Sequence, residues 1–182
     1  MCTGASAHIG TEVGTHATPD LLAGLQHPLS GLDHLAAMLA VGFWSALTAR
    51  RLWTTPLAFA AMLLVGALLG LTGINLPAVG PMIAASLLVL GLLVALRTEL
   101  PAALAASLVG AFAIFHGVAH GTELSGAAHT WSPLLGMLLT TVALHLCGLG
   151  LGLALRRRSH DWPQLAGASV TLLGGVLLLQ LV

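Results

Sequence analysis

The chain is poor in charge, and it contains no lysine and no tyrosine. Only 7% of its 182 residues are charged, whereas soluble domains carry about 25%. This shortage excludes an ordinary soluble domain. The formal net charge is zero, and the sequence has no basic patch to hold nucleic acid. Two cysteines are also too few to predict a disulfide framework. We therefore expect a protein of the lipid bilayer with no nucleic-acid partner.

Apolar runs make up most of the sequence, which is 57% hydrophobic. Six of them approach the length of about 20 residues that a membrane-spanning helix needs. The six predicted helices cover residues 28–49, 53–72, 81–96, 101–120, 132–155 and 163–182. Pro28 is placed in the first turn of the first helix, where its missing N–H costs little. The prediction is an all-α, polytopic membrane protein with an N-terminal tail at residues 1–26 and a six-helix transmembrane domain at residues 27–182.

Every arginine lies in a loop that follows the first, third or fifth predicted helix. These residues are Arg50, Arg51, Arg97, Arg156, Arg157 and Arg158. Because positively charged loops stay in the cytoplasm, this distribution places both termini, and the tail with them, outside. The outer side holds Glu12, Asp20 and Glu123 and no basic side chain, so it should concentrate cations.

The N-terminal tail contains Ala5-Ser6-Ala7, which fits the small-residue pattern of a signal-peptidase site. The basic and apolar regions of a signal peptide do not precede it, so either the signal has already been removed or the match is accidental. Cleavage after Ala7 would make His8 the first residue. Its amine and imidazole would then be candidates for metal capture.

Two polar segments interrupt the apolar pattern. Residues 27–34 read His-Pro-Leu-Ser-Gly-Leu-Asp-His at the mouth of the first predicted helix, and residues 116–123 read His-Gly-Val-Ala-His-Gly-Thr-Glu near the outer end of the fourth. A carboxylate in lipid costs roughly 2.5–3.5 kcal/mol, so it is kept only beside a partner, a cavity or an ion. The candidate metal ligands in these segments are His27, Asp33, His34, His116, His120 and Glu123.

The two segments are expected to meet at a similar depth. At a rise of about 1.5 Å per residue, His34 lies roughly 8 Å inside the first helix, and His116 lies about 7 Å inside the outer end of the fourth. His116, His120 and Glu123 share one face of a helix, and His27 and His34 do so if the first helix begins near His27. We therefore predict a divalent-metal site between two helices, with a structural polar network as the alternative.

Two further residues have open interpretations. Met38, one turn inward of His34, is either a soft ligand for a passing ion or a core side chain. His145, in the fifth predicted helix, is either a deeper relay ligand or a partner in a helix–helix hydrogen bond. Imidazole and carboxylate ligands suit nickel, cobalt, zinc, copper and iron, so the ligands alone do not identify the ion.

The motifs resemble those of the HupE/UreJ family of bacterial nickel and cobalt permeases. The first motif, His-Pro-x-x-Gly-x-Asp-His, is present as residues 27–34 and is followed by Met38 and Trp44. The second, Phe-His-Gly-x-Ala-His-Gly-x-Glu, is present as residues 115–123. His145 matches a histidine that the family tends to carry near glycines in the next helix. The likeness covers nearly the whole chain after the tail.

The resemblance implies a secondary transporter or facilitator that takes up divalent nickel or cobalt across the bacterial inner membrane, for urease or hydrogenase maturation. The N-terminus would be periplasmic. The metal ion would be cargo, so we expect no catalytic cofactor and no enzyme activity. The family often has a glutamate after Leu-Pro-x-Val, where this chain has Gly80. One carboxylate for metal recruitment is therefore lost, or is replaced from the tail.

Two other functions would use the same residues. An intramembrane zinc hydrolase would bind its metal through the histidines and an aspartate and keep one position for water. A membrane subunit that stores or senses metal would bind the ion without moving it. The sequence offers no separate nucleophile for a hydrolase and no nucleotide-binding motif for a pump, which favours a permease.

Overall fold

The computed structural model describes residues 20–48, 52–125, 129–156 and 161–181. Within these ranges the protein is entirely helical, as predicted, and contains no strand. Its helices are α1 (Leu21–Ser30), α2 (Leu32–Thr48), α3 (Thr54–Leu71), α4 (Val79–Ala95), α5 (Ala102–Leu124), α6 (Trp131–Leu155) and α7 (Asp161–Gln180). By length and apolarity, α3, α5, α6 and α7 are each able to cross a membrane, and α2 and α4 are apolar helices of 17 residues.

The N-terminal region differs from the prediction, because the chain forms a separate helix before α2. Asp20 caps α1 by accepting a hydrogen bond from the Ala23 backbone N–H at 2.8 Å. Gly31 then has an extended backbone that separates α1 from α2. Pro28 therefore lies near the end of α1, and its predicted first-turn position is wrong. At this position Pro28 lacks the N–H that would donate to the Gly24 carbonyl, so α1 has one helical hydrogen bond fewer.

Glycines bring α3 and α5 into close backbone contact. A Cβ atom on Gly117 would overlap the Leu63 carbonyl, and one on Gly121 would overlap the Ala67 carbonyl. Small residues allow this approach, which is common where membrane helices associate. Because the contacts advance in the same order along both helices, α3 and α5 run parallel.

The same kind of contact joins α2 to α6. Gly42 lies against the His145 carbonyl, and Gly152 lies against the Ala46 side chain. The order again rises along both helices, so α2 and α6 are also parallel.

The remaining close pair, α4 and α7, runs in opposite directions. Gly167 lies against Ala95, whereas Gly174, farther along α7, lies against Leu88, which is earlier in α4. If α2 to α7 cross a layer in alternating directions, α2 and α6 are parallel, α3 and α5 are parallel, and α4 and α7 are antiparallel. The glycine contacts have these directions.

An apolar core fills the middle of α2, α3 and α5. Its fully buried members include Met38 and Val41 on α2, Phe59 on α3, and Val109 and Ala113 on α5. The polar residues of the two sequence motifs lie at one end of this core. The core therefore separates those polar groups from the opposite end of the same three helices.

Candidate metal centre

One histidine of α1 meets the last turn of α5. His27 Nε2 lies 3.0 Å from His120 Nδ1 and 3.0 Å from Glu123 Oε2, and the last two atoms are 3.9 Å apart. Bonds of about 2.0–2.2 Å place the donor atoms around one zinc-like ion roughly 3–4 Å apart. His27, His120 and Glu123, named here the triad, therefore have the spacing of a three-ligand metal site.

The break at Gly31 explains how His27 reaches α5. His27 belongs to α1 and His34 to α2, so the predicted single stripe of one helix through His27 and His34 is wrong. A Cβ atom on Gly31 would lie 2.7 Å from Asp33 Oδ1, which favours glycine at this bend. The two histidines of the first motif thus approach the same helix from separate elements.

A second group of imidazoles adjoins the triad. The His34 ring lies 4.9 Å from the His116 ring and 4.5 Å from the His120 ring, measured between centroids. His34, His116 and His120 are named here the imidazole cluster. His120 belongs to both groups, and its ring is also 4.8 Å from that of His27. The structure therefore brings all four motif histidines together.

Asp33 orients His34 within this cluster. Its Oδ1 accepts a hydrogen bond from the His34 backbone N–H at 2.8 Å and lies 2.8 Å from His34 Nδ1. A carboxylate in this position favours the tautomer with the proton on Nδ1, which leaves the Nε2 lone pair for a metal. His34 Nε2 is buried without a hydrogen-bond partner. The contacts of Asp33 are thus those of a residue that positions a ligand.

Ser86 of α4 fixes the tautomer of His116. The serine hydroxyl donates to the Ile83 carbonyl at 2.6 Å, so its single proton is committed. At 3.0 Å from His116 Nε2, the serine oxygen then accepts a hydrogen bond from the N–H of that nitrogen. His116 Nδ1 consequently keeps a lone pair, and this atom is buried without a partner. Ser86 could not be identified from the sequence, because a lone serine in an apolar helix has no spacing signal.

Each member of the imidazole cluster has one buried nitrogen without a partner. The three atoms are His34 Nε2, His116 Nδ1 and His120 Nε2. A buried polar atom left without a hydrogen bond costs about 1–3 kcal/mol. Three such atoms on adjoining rings therefore favour a ligand that accepts nitrogen lone pairs, and a divalent transition metal is such a ligand.

Access to the centre is uneven. The side chains of His27 and Glu123 are 35% and 51% exposed, whereas His116 and His120 are almost fully buried. The triad is thus partly exposed at the surface, and the imidazole cluster is buried behind it. This arrangement permits stepwise replacement of water by protein ligands.

The other predicted ligands belong to neither the triad nor the imidazole cluster. Met38 is fully buried in the apolar core. His145 is buried with neither ring nitrogen hydrogen-bonded, so the helix–helix hydrogen bond that was its alternative interpretation is not formed. Phe59 separates it from the cluster, with ring centroids 5.1 Å from His145 and 5.6 Å from His116. His8 lies outside the described residues.

Comparison with known proteins identifies the family. The family model described as HupE / UreJ protein matches residues 1–177. Protein HupE of Rhizobium leguminosarum bv. viciae is 44% identical over 169 residues, which cover 92% of this chain and 88% of that protein. No solved structure matches the chain. The match over nearly all of its length shows that the chain belongs to the HupE/UreJ family.

Proposed function

We propose that the protein is a secondary transporter or facilitator that takes up divalent nickel, or cobalt, across the bacterial inner membrane. Membership of the HupE/UreJ family supports a role in nickel or cobalt transport. The observation that carries the proposal is the convergence of three unpartnered imidazole nitrogens beside a three-ligand group. The delivered ion would serve urease or hydrogenase maturation.

The helix directions support six crossings, made by α2 to α7. Alternate crossing requires the parallel and antiparallel pairs that the glycine contacts define. The shorter helices α2 and α4 have 17 residues each and extend about 26 Å, close to the hydrocarbon thickness of about 30 Å. With the arginine-rich loops in the cytoplasm, the metal centre and the N-terminus are periplasmic.

In this proposal the triad receives a hydrated ion and passes it to the imidazole cluster. Glu123 contributes the negative charge, and His120 presents one nitrogen to each group, so the ion need not lose all its ligands in one step. The ion then moves past Met38 and His145 toward the cytoplasm. A mixed nitrogen and oxygen ligand set suits both nickel and cobalt.

Initial rates of radioactive nickel uptake into proteoliposomes test the proposal. His120→Ala removes the residue that the two groups share, so uptake should fall by about 100-fold or more, beyond the range typical of residues that only support a ligand. His129→Ala is the matched control, because His129 is an exposed histidine outside the helices. Equal uptake by the two variants would contradict the proposal.

The other candidate functions predict different results. The family match gives no support to the hydrolase, which would cleave lipid or amide substrates in detergent and lose this activity with His120→Ala. A storage or sensing subunit would bind nickel stoichiometrically but give no flux into proteoliposomes. Either result would replace the transport proposal.

A further inference from the structure

A cavity with a mixed polar and apolar lining opens at the opposite end of the helices that build the metal centre. Its volume is about 570 Å³, and it lies between the end of α2, the start of α3 and the start of α5. Four hydroxyl-bearing residues line it: Ser45, Thr48, Thr54 and Thr55. Among the described residues of its lining, Glu99 is the one acid and there is no base. This end of the helices is named here the cavity end, and the end with the metal centre is the histidine end.

The hydroxyl groups of the cavity are arranged as acceptors. Ser45 donates its proton to the Leu52 carbonyl at 2.7 Å, and Thr48 donates to the Trp44 carbonyl at 2.8 Å, so both oxygens keep lone pairs. Thr55 is only 3% exposed, and its Oγ1 is buried without a hydrogen-bond partner. A buried hydroxyl at a cavity wall without a protein partner favours a ligand or ordered water there.

Each of the three helices connects this cavity to the metal centre along one face. On α2, His34, Met38, Val41 and Ser45 follow one another at intervals of three or four residues. On α3, Thr55 lies one turn from Phe59, whose ring contacts that of His116. The polar groups of the two ends are therefore joined by continuous helix faces.

The third face belongs to α5 and has the same order. His116 is followed toward the helix start by Ala113, Val109 and Ala105, and Ala105 lines the cavity. Ala113 and Val109 are fully buried. On every face an apolar middle section separates the histidine end from the cavity end.

We propose that the cavity receives the divalent cation as it regains water on the cytoplasmic side, with Glu99 and the Thr55 hydroxyl as its contacts. This inference rests on the proposed transport function. Phe59 closes the route between the two ends when no ion is passing. The cavity is an exit vestibule, distinct from the histidine centre.

The size and chemistry of the cavity fit this use. Six waters occupy roughly 180 Å³ at about 30 Å³ each, so a fully hydrated divalent ion fits within about 570 Å³. Hydroxyl and carboxylate oxygens hold nickel more weakly than imidazoles do. The arginines of the same side lower the local cation concentration further, which favours release over retention.

Cysteine accessibility tests the position of the vestibule. In a Cys2→Ser, Cys147→Ser background, Thr48→Cys should react with a membrane-impermeant thiol reagent in inside-out vesicles and not in right-side-out vesicles, because Thr48 lines the cavity and is partly exposed. Nickel should slow the reaction. Ala113→Cys, in the apolar section, is the control and should react from neither side. A Thr48→Cys protein that reacts only from the periplasmic side, or not at all, would overturn the inference.

Neutralising Glu99 tests whether the passing ion interacts with this carboxylate. Glu99→Gln should lower the initial rate of nickel uptake by about tenfold, at the lower end of the range for electrostatic attraction in a cleft. Nickel affinity at the histidine centre, titrated in detergent, should not change. Asp161→Asn is the control, because Asp161 is an exposed acid at the start of α7 and does not line the cavity.

The results separate the two proposals. If the unsubstituted protein moves no nickel, the transport function fails. If it transports nickel and Glu99→Gln equals Asp161→Asn, only the vestibule fails.

Discussion

The two ends of α2, α3 and α5 offer a divalent ion different ligands. The histidine end presents imidazole nitrogens with one exposed carboxylate, whereas the cavity end presents hydroxyl and carboxylate oxygens. Since nitrogen ligands hold nickel and cobalt more tightly than neutral oxygens do, we expect affinity to fall from the histidine end to the cavity end. On the proposed route the ion would be captured strongly where it loses water and held weakly where water returns, and its gradient would set the direction.

The ends also differ in how firmly their side chains are held. At the histidine end, Asp33 and Ser86 each fix the tautomer of one imidazole. At the cavity end, the Thr55 hydroxyl has no such support. Side chains that are already ordered bind a metal ion tightly, whereas side chains that become ordered only on binding hold it more weakly. Substitutions can therefore alter one end, the other, or both.

The largest effect is expected where one substitution damages both ends. Gly117→Ala would force a Cβ atom against the Leu63 carbonyl and push α5 away from α3, the helices that connect the two ends. We expect a loss of stability of about 2 kcal/mol or more, with nickel binding and uptake both lost. Thermal unfolding in detergent, together with uptake, measures this.

Gly150→Ala is the matched control for this change. Gly150 is also a helical glycine, in α6, but nothing lies within 4 Å of the position that its Cβ atom would occupy. The Gly150→Ala variant should unfold at the same temperature as the parent protein and take up nickel at the same rate. If Gly117→Ala behaves in the same way, close α3–α5 contact does not hold the two ends in place.

Much of the histidine end could be predicted from the sequence. The pattern of histidines and carboxylates within each motif resembles a known family, and the predicted topology together with the rise per residue of a helix placed the two motifs at a similar depth. Helix α1 was missed, although Asp20 before Leu21, Leu22 and Leu25 is a usable cap-and-helix signal. A search for spans of about 20 apolar residues passes over a helix of ten residues. As a result, His27 was assigned to the wrong helix.

The cavity end could not be predicted in this way. Hydroxyl residues near helix ends are ordinary at a membrane surface, and no spacing relates Thr55 to Glu99 or to Ser45. Their proximity depends on how three helices pack, and packing is not visible in a periodicity. The role of Ser86 is hidden for the same reason, because its partner His116 is on another helix.

The next largest effect should be confined to the histidine end. Asp33→Asn removes the charge that fixes the His34 tautomer but keeps the shape of the side chain. Loss of such support typically lowers metal affinity by about 10–100-fold, and removal of a charge should place this variant near the upper figure. Titration with nickel in detergent gives the affinity. Reaction of Thr48→Cys at the cavity end should not change; if it does, the two ends are not independent.

The smallest effect is expected from substitution of Ser86, the neutral hydrogen-bond partner of His116. Ser86→Ala leaves the Ile83 carbonyl and His116 Nε2 without the serine, so the proton of His116 is free to occupy Nδ1, the nitrogen proposed for the metal. We expect nickel affinity to fall by about tenfold, the lower figure for a residue that supports a ligand. Stability should fall by about 1 kcal/mol, because a buried imidazole nitrogen loses its hydrogen-bond partner. Ser169→Ala is matched to it, because Ser169 also donates to a carbonyl of its own helix but is exposed on α7. Nitrogen-15 chemical shifts of His116 should report the change of tautomer in Ser86→Ala and not in Ser169→Ala. Equal nickel affinities for the two variants, with the His116 tautomer unchanged, would show that the imidazole is held by its packing against Phe59 and His34 and not by the serine.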